Sequence, residues 1–205
     1  MAYGYMAYLL FDLLTSGVAD WQKAALSRKS EIPSMVSLDV YLQLASQPSR
    51  YYVANPRVRA NWGIFLTDFR TNYMLEYVPG GLDDMRTDDW QVIGLHMINE
   101  KNFNLRISSG LMVERFGDRR KFNESVIGGE WKSSRGQMGA FGEYRWAKDR
   151  SASETPRQEI NCSFYRTMVS KPGFDLSLTL GGMYQRYYSE VPVWGLQWGI
   201  RTQIH

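Results

Sequence analysis

The chain has 205 residues, a formal net charge of +3, 44% hydrophobic and 14% aromatic residues, 18 Gly and 1 Cys. That length suits one domain with its own core, and the aromatic content argues against a disordered chain. The single cysteine excludes an intramolecular disulfide framework and a cysteine zinc cluster. The weak, dispersed charge argues against nucleic acid as a partner, and no apolar run approaches the ~18 residues of a spanning helix.

Residues 1–34 stand apart from the rest and form a first unit, an amphipathic helix and its linker. Leu9, Leu10, Leu13, Leu14, Val18, Trp21 and Ala25 recur at spacings of three and four, with Asp12, Thr15, Asp20 and Lys23 between them. That is the pattern of an amphipathic helix, weakened by Gly17 and stopped by Pro33. Met-Ala-Tyr-Gly-Tyr carries no positive charge, so the segment is not read as a secretory signal.

From residue 35 to 205 the period changes to two. Val36, Leu38, Val40, Leu42 and Leu44 alternate with Ser37, Asp39, Tyr41 and Gln43. The alternation recurs over 57–66, 68–77, 103–114, 137–146, 174–180 and 194–205, and less cleanly over 90–99, 122–132 and 158–169. Short connections fall at 99–102, 133–136 and 170–173, and longer ones at 46–56, 78–89, 116–121, 148–157 and 186–192. A tight turn at Thr67-Asp68 completes a long-short rhythm of ten strands; a bulge there in one longer strand is the competing reading, and eight strands is the alternative count. The expected fold is an all-β, antiparallel up-and-down transmembrane barrel with an N-terminal amphipathic helix.

Alternation alone does not say which face is the outside. Three features favour an apolar exterior. Several segments run ten to thirteen residues, long enough to cross a bilayer at a tilt, against about five or six in soluble sheets. Arginines outnumber lysines 17 to 7, and the planar guanidinium is the better partner for an enclosed carboxylate. Tyr51, Tyr52, Tyr77, Trp90, Phe116, Trp146, Tyr187, Tyr188 and Trp194 lie near the longer connections, as an interfacial girdle would. A soluble, lipocalin-like ligand-binding barrel with its apolar faces inward is the alternative.

The segment Trp62-Gly-Ile-Phe-Leu-Thr-Asp-Phe-Arg-Thr-Asn-Tyr, followed by Asp89-Trp90-Gln91, is similar to uncharacterised outer-membrane barrels of Bacteroidetes. From residue 35 onward the chain resembles small OmpA-like and OmpX-like proteins, and its last segment looks like their closing strand, though it ends Ile204-His205 and not in Phe or Trp. The resemblance implies a bacterial outer-membrane location, with bilayer lipid and lipopolysaccharide as surroundings. It implies no activity.

On a barrel of that kind the mixed-sign face becomes a lumen. Arg57, Arg59, Arg70, Glu76, Arg106, Glu114, Glu130, Glu143, Arg145, Asp175 and Arg201 are expected to pair there and close it, because unpaired charges away from water are costly. The helix face of Leu10, Leu13, Leu14 and Trp21 is the candidate protein-partner surface. The helix-before-barrel layout also resembles lipid A palmitoyltransferases, which makes His96 the one candidate base of an outer-membrane lipid-modifying enzyme, although no Ser or Asp adjoins it. Asp83, Asp84, Asp88 and Asp89, read as one acidic loop, are candidates for a divalent metal. No cofactor is expected. The leading reading is a structural or interaction component of an outer-membrane complex.

Overall fold

The structure, a computed structural model, describes residues 2–47, 50–116, 119–149, 155–188 and 192–205; the side chains of residues 2–14 and of Pro33 lie outside the described set. Helix α1 (Ala2–Ser27) and a 3₁₀ turn (Pro33–Met35) precede ten strands: β1 (Val36–Gln47), β2 (Tyr51–Trp62), β3 (Phe65–Val78), β4 (Gly81–Asn99), β5 (Phe103–Glu114), β6 (Arg120–Lys132), β7 (Met138–Lys148), β8 (Arg157–Lys171), β9 (Phe174–Tyr187) and β10 (Val193–Ile204). Each strand pairs antiparallel with its chain neighbours, and β1 pairs with β10, so the sheet closes on itself. Closure gives every strand a partner on both sides and removes the edges that would otherwise template aggregation.

The alternation of the sequence maps onto the two faces. Leu42 is 47% exposed and points outward, whereas its neighbour Gln43 is 2% exposed and points into the barrel. The same holds around the ring: Val58, Phe69, Ile107, Ile127, Ile160, Leu178 and Ile200 face out, and Arg59, Arg70, Arg106, Glu124, Glu159, Ser177 and Arg201 face in. Apolar clusters inside the barrel are confined to its ends. Ala45, Tyr51, Val53, Met74 and Met183 close the end with the longer connections, beside a smaller group of Met112, Phe122 and Ala147. Ala25, Ile32, Met35 and Ile64 close the other.

Turn chemistry sets the short end. Lys171-Pro172-Gly173-Phe174 supplies Pro for the first central position and Gly, at φ 79°, for the second, as a type II turn requires. The β2–β3 turn is Gly63-Ile64, four residues before the expected Thr67-Asp68. Gly63 takes φ 61°, which explains the choice: the turn needs a left-handed residue, and glycine adopts that conformation without the steric cost that Thr67 or Asp68 would carry. The irregularity at 66–68 is real but belongs to the β3–β4 pairing, where the register shifts between Leu66 and Asp68. Two expected long connections are also strand. β1 and β2 leave only 48–50 between them, and β3 and β4 are joined at 79–80. Their ladder runs out to Val78 opposite Gly81, so Asp83, Asp84, Asp88 and Asp89 lie along one strand and not in a loop.

The aromatic residues near the longer connections divide between the two faces of the wall. Tyr52, Tyr77, Trp90 and Trp194 are exposed on the outer face, whereas Tyr51 and Tyr187 point inward and are buried. A second set that the sequence reading missed flanks the short turns: Trp62 (64% exposed), Phe65, Phe103 and Trp131.

Helix α1 is anchored by its C-terminal turn to this short end. The Gln22 amide donates to the Trp62 carbonyl (3.2 Å) and accepts from the Ile64 N–H (2.8 Å), bracketing Gly63. A Cβ on Gly63 would stand 2.4 Å from Gln22 Oε1, so this glycine serves the turn and the anchor together. Arg28 forks onto Glu100 in the β4–β5 turn (3.2 and 2.8 Å). Beyond the anchor Val18 and Trp21 are exposed. At 26 residues the helix is about 39 Å long, so most of it projects past its attachment. Of the expected partner face, Trp21 is described and open (41% exposed); the side chains of Leu10, Leu13 and Leu14 lie outside the described residues.

Gly63→Ala should cost about 1–2 kcal/mol in denaturant unfolding, the penalty of a left-handed L-residue, and should displace Gln22. Gln22→Ala should leave the barrel midpoint unchanged but speed tryptic cleavage at Lys23 and Arg28. Arg28 holds the Glu100 carboxyl below its ordinary range by hydrogen bond and charge. The fork is therefore complete above the ordinary carboxylate range and is lost as pH falls through the depressed value. Energy transfer between labels at positions 20 and 101 should fall in acid, and in high salt, if so.

Candidate functional site

Among the described residues, seven arginines face seven carboxylates in three connected tiers inside the barrel. At the short-turn end Arg201 binds Glu130 (2.6 Å) and lies 3.6 Å from Asp39, and the Tyr165 hydroxyl donates to Glu130 (2.8 Å). The Tyr41 ring is flanked by Arg57, Arg59 and Arg201, whose guanidinium carbons lie 5.6, 5.5 and 5.3 Å from its centre.

Glu143 is the hub of the middle tier. Arg57 forks onto it (3.1 and 2.7 Å), Arg145 donates at 2.6 Å, Arg106 at 3.2 Å, and Arg59 lies at 3.5 Å. Arg57 also forks onto Asp68, which Arg59 reaches at 3.2 Å. The third tier joins Arg70 to Asp89 (2.8 Å) and Glu159 (2.5 Å), and Arg157 to Asp89 (2.7 Å) and Glu124. Arg145 spans the two tiers, reaching Glu124 at 3.4 Å. Bidentate forks of this kind are the geometry in which an enclosed ion pair recovers most of its desolvation cost.

At the end with the longer connections the Tyr188 hydroxyl donates to Glu114 (2.7 Å) across the barrel mouth. Tyr188 holds a left-handed backbone, φ 49°, uncommon for a residue with a side chain. Burial, with the bond to Glu114, pushes its phenol up to about 12.

Nine of the eleven expected lumen charges are buried in the barrel: Arg57, Arg59, Arg70, Arg106, Glu114, Glu130, Glu143, Arg145 and Arg201. Glu76 is not one of them; it stands exposed on the part of β3 that extends past the rim, opposite Asp83. Asp175 lies half-buried at the short-turn mouth, lining a cavity of about 170 Å³ with Lys132 and Arg201. The network also includes six charged residues outside that set of eleven: Asp39, Asp68, Asp89, Glu124, Arg157 and Glu159. Arg157-Gln-Glu159-Ile-Asn161 alternates as a lumenal face should, and reading that strand to its start would have found two of them.

His96 is buried among amides. Its Nδ1 accepts from the Asn104 side chain (2.8 Å) and its Nε2 meets Asn61 Oδ1 (3.2 Å). Both nitrogens are thus occupied by asparagines, and among the described residues no hydroxyl or carboxylate bonds the ring to form a nucleophile–base pair. It borders a cavity of about 20 Å³, room for roughly a water or two. Of the four aspartates, Asp89 is committed to Arg70 and Arg157, and Asp88 accepts from Thr71 and Arg86 and pairs with Arg115. Asp83 and Asp84 sit near the hairpin tip. Among the described residues no group of three or more metal-ligating side chains converges. Cys162 is exposed on the outer wall between Ile160 and Phe164, as its alternation indicates. No family model matches the chain, and no curated protein matches it.

The arrangement does one thing well: it fills and ties together the inside of the barrel. Replacing Glu143 by Ala removes a carboxylate that four guanidinium groups share and takes from Arg106 the ion pair it makes at 3.2 Å, and should lower stability by about 3–5 kcal/mol in chemical denaturation. Glu76→Ala, removing a charge that points to solvent, should stay within about 0.5 kcal/mol of the parent.

Proposed function

We propose that the chain is a lipid-embedded barrel of the bacterial outer membrane with a closed lumen, acting as a structural or interaction component of a larger assembly. The observation that carries this is the inverted distribution of polarity. Large apolar side chains such as Leu180, Leu196 and Trp198 stand more than half exposed around the whole outer wall, while arginines and glutamates occupy the centre. Water-soluble monomers rarely expose a contiguous apolar area beyond a few hundred Å². A belt of this kind needs an apolar solvent, and closed barrels are one of only two ways to satisfy backbone hydrogen bonds in it. Aromatic side chains near both ends of the outer wall fit the two interfaces of a bilayer. An apolar-ligand barrel would need these side chains on the other face.

The interlocked lumen favours a plug over a diffusion pore. The interaction role rests on α1: a helix held by Gln22 and Arg28 yet open at Val18 and Trp21 suits contact with the membrane surface or a neighbouring protein. Truncating residues 1–30 should leave the barrel folded and abolish a partner contact.

Fractionation of cells, followed by electrophoresis of unheated and boiled samples in detergent, tests the location and the barrel together. Recovery in the outer membrane with a heat-dependent mobility shift is expected. A water-soluble protein with no shift would remove the proposal.

A further inference from the structure

One arginine inside the barrel is short of partners. Arg106, on β5, is 3% exposed, and among the described residues its guanidinium makes one ion pair, to Glu143 at 3.2 Å. Arg57 and Arg145 hold that same carboxylate. Gly128 lies opposite Arg106 on β6, and a Cβ there would stand 3.1 Å from the guanidinium, so the glycine gives it room. Arg106 borders the cavity of about 20 Å³ at the short-turn end.

Charge does not balance around this cavity. Its lining carries four cations, Arg59, Arg106, Lys132 and Arg201, and three acids, Asp39, Glu100 and Glu130. Glu100 is taken by Arg28, from outside the barrel. The next tier changes nothing, because Arg57 and Arg145 match Asp68 and Glu143. Two positive charges are left over. At the mouth, Lys101 and Glu31 are exposed and cancel, and the half-buried Asp175 offsets one more. At least one positive charge therefore has no counterpart at this end of the lumen. The far end is short in the other sense, with Arg70 and Arg157 against Asp89, Glu124 and Glu159.

A buried charge without a counterion is costly. Asp39 Oδ1 and Asn104 Oδ1 are unpartnered acceptors on the same lining, and a water would serve them but leave the charge. The Asn99 amide nitrogen, a buried donor without a partner, also lines the cavity and suits an anion. A space of this size takes a guest no larger than a water or two. That excludes phosphate and carboxylates and admits a monatomic anion. We propose that the cavity holds one halide ion, chloride in the cell, against the Arg106 guanidinium. The assignment needs the closed barrel and not the bilayer, so it stands apart from the membrane reading.

The test uses the full chain folded in detergent and unfolded by urea, with chloride replacing gluconate at constant ionic strength. The parent midpoint should rise with chloride and level off, and bromide should act alike. At about ten times the half-saturating concentration the unfolding constant should have fallen about tenfold. Arg135→Gln, in the exposed β6–β7 turn, should keep that response. Arg106→Gln should lose it. Gly128→Ala, which presses a methyl group on the guanidinium, should raise the half-saturating concentration severalfold, and it carries the test if Arg106→Gln does not fold. A parent midpoint indifferent to chloride would leave the cavity to water and overturn the assignment. An unchanged chloride response in Arg106→Gln, or in Gly128→Ala where that variant stands in, would overturn it as well.

Discussion

Glu143 sits among four guanidinium groups inside the barrel, and the rest of the structure depends on that ring of charge being complete. A carboxylate and an arginine taken from water singly each cost several kcal/mol. They are tolerable here because each fork serves more than one partner. Arg57 ties Glu143 to Asp68; Arg145 ties Glu143 to Glu124; Arg157 ties Glu124 to Asp89. These residues come from β2, β3, β4, β6, β7 and β8. The network is thus a set of cross-braces between strands that do not all touch through their backbones.

That interior dictates the exterior. Strands have two faces, and with the inward one committed to charge the apolar residues have nowhere to go but out. Among the described residues the apolar clusters are small caps at the ends of the barrel, and the middle holds only single apolar or aromatic side chains, such as Val126 and Phe141, among the charges. The short-turn cap recruits residues from outside the barrel, Ala25 and Ile32, which is how the helix becomes part of the fold.

Much of this was legible in the sequence because period-two alternation survives wherever one face is uniformly apolar. β1, β7 and β10 read cleanly for that reason. β6 did not, since its inward face mixes Phe122, Glu124, Val126, Gly128 and Glu130 and its outward face carries Asn123 and Ser125. The Asp-rich start of β4 read as a loop because aspartate is a poor strand former; it pairs as strand because Asp89 meets Arg70 and Arg157, which no local pattern reveals. Gly63 could have been found, since it is the residue in its segment that takes a left-handed turn without strain. The Gln22 anchor could not, because it joins residues about forty positions apart with no charge or periodicity to mark it.

The inverted polarity of the wall can be measured directly. Nitroxide labels placed singly at positions 177 to 180 of β9, in lipid vesicles, would report it through collisions with oxygen and with a nickel chelate. Labels at 178 and 180 should collide freely with oxygen and hardly with nickel, and those at 177 and 179 with neither. Equal nickel access at 178 and 180 would mean that water, and not lipid, covers the apolar wall, and the account would fail.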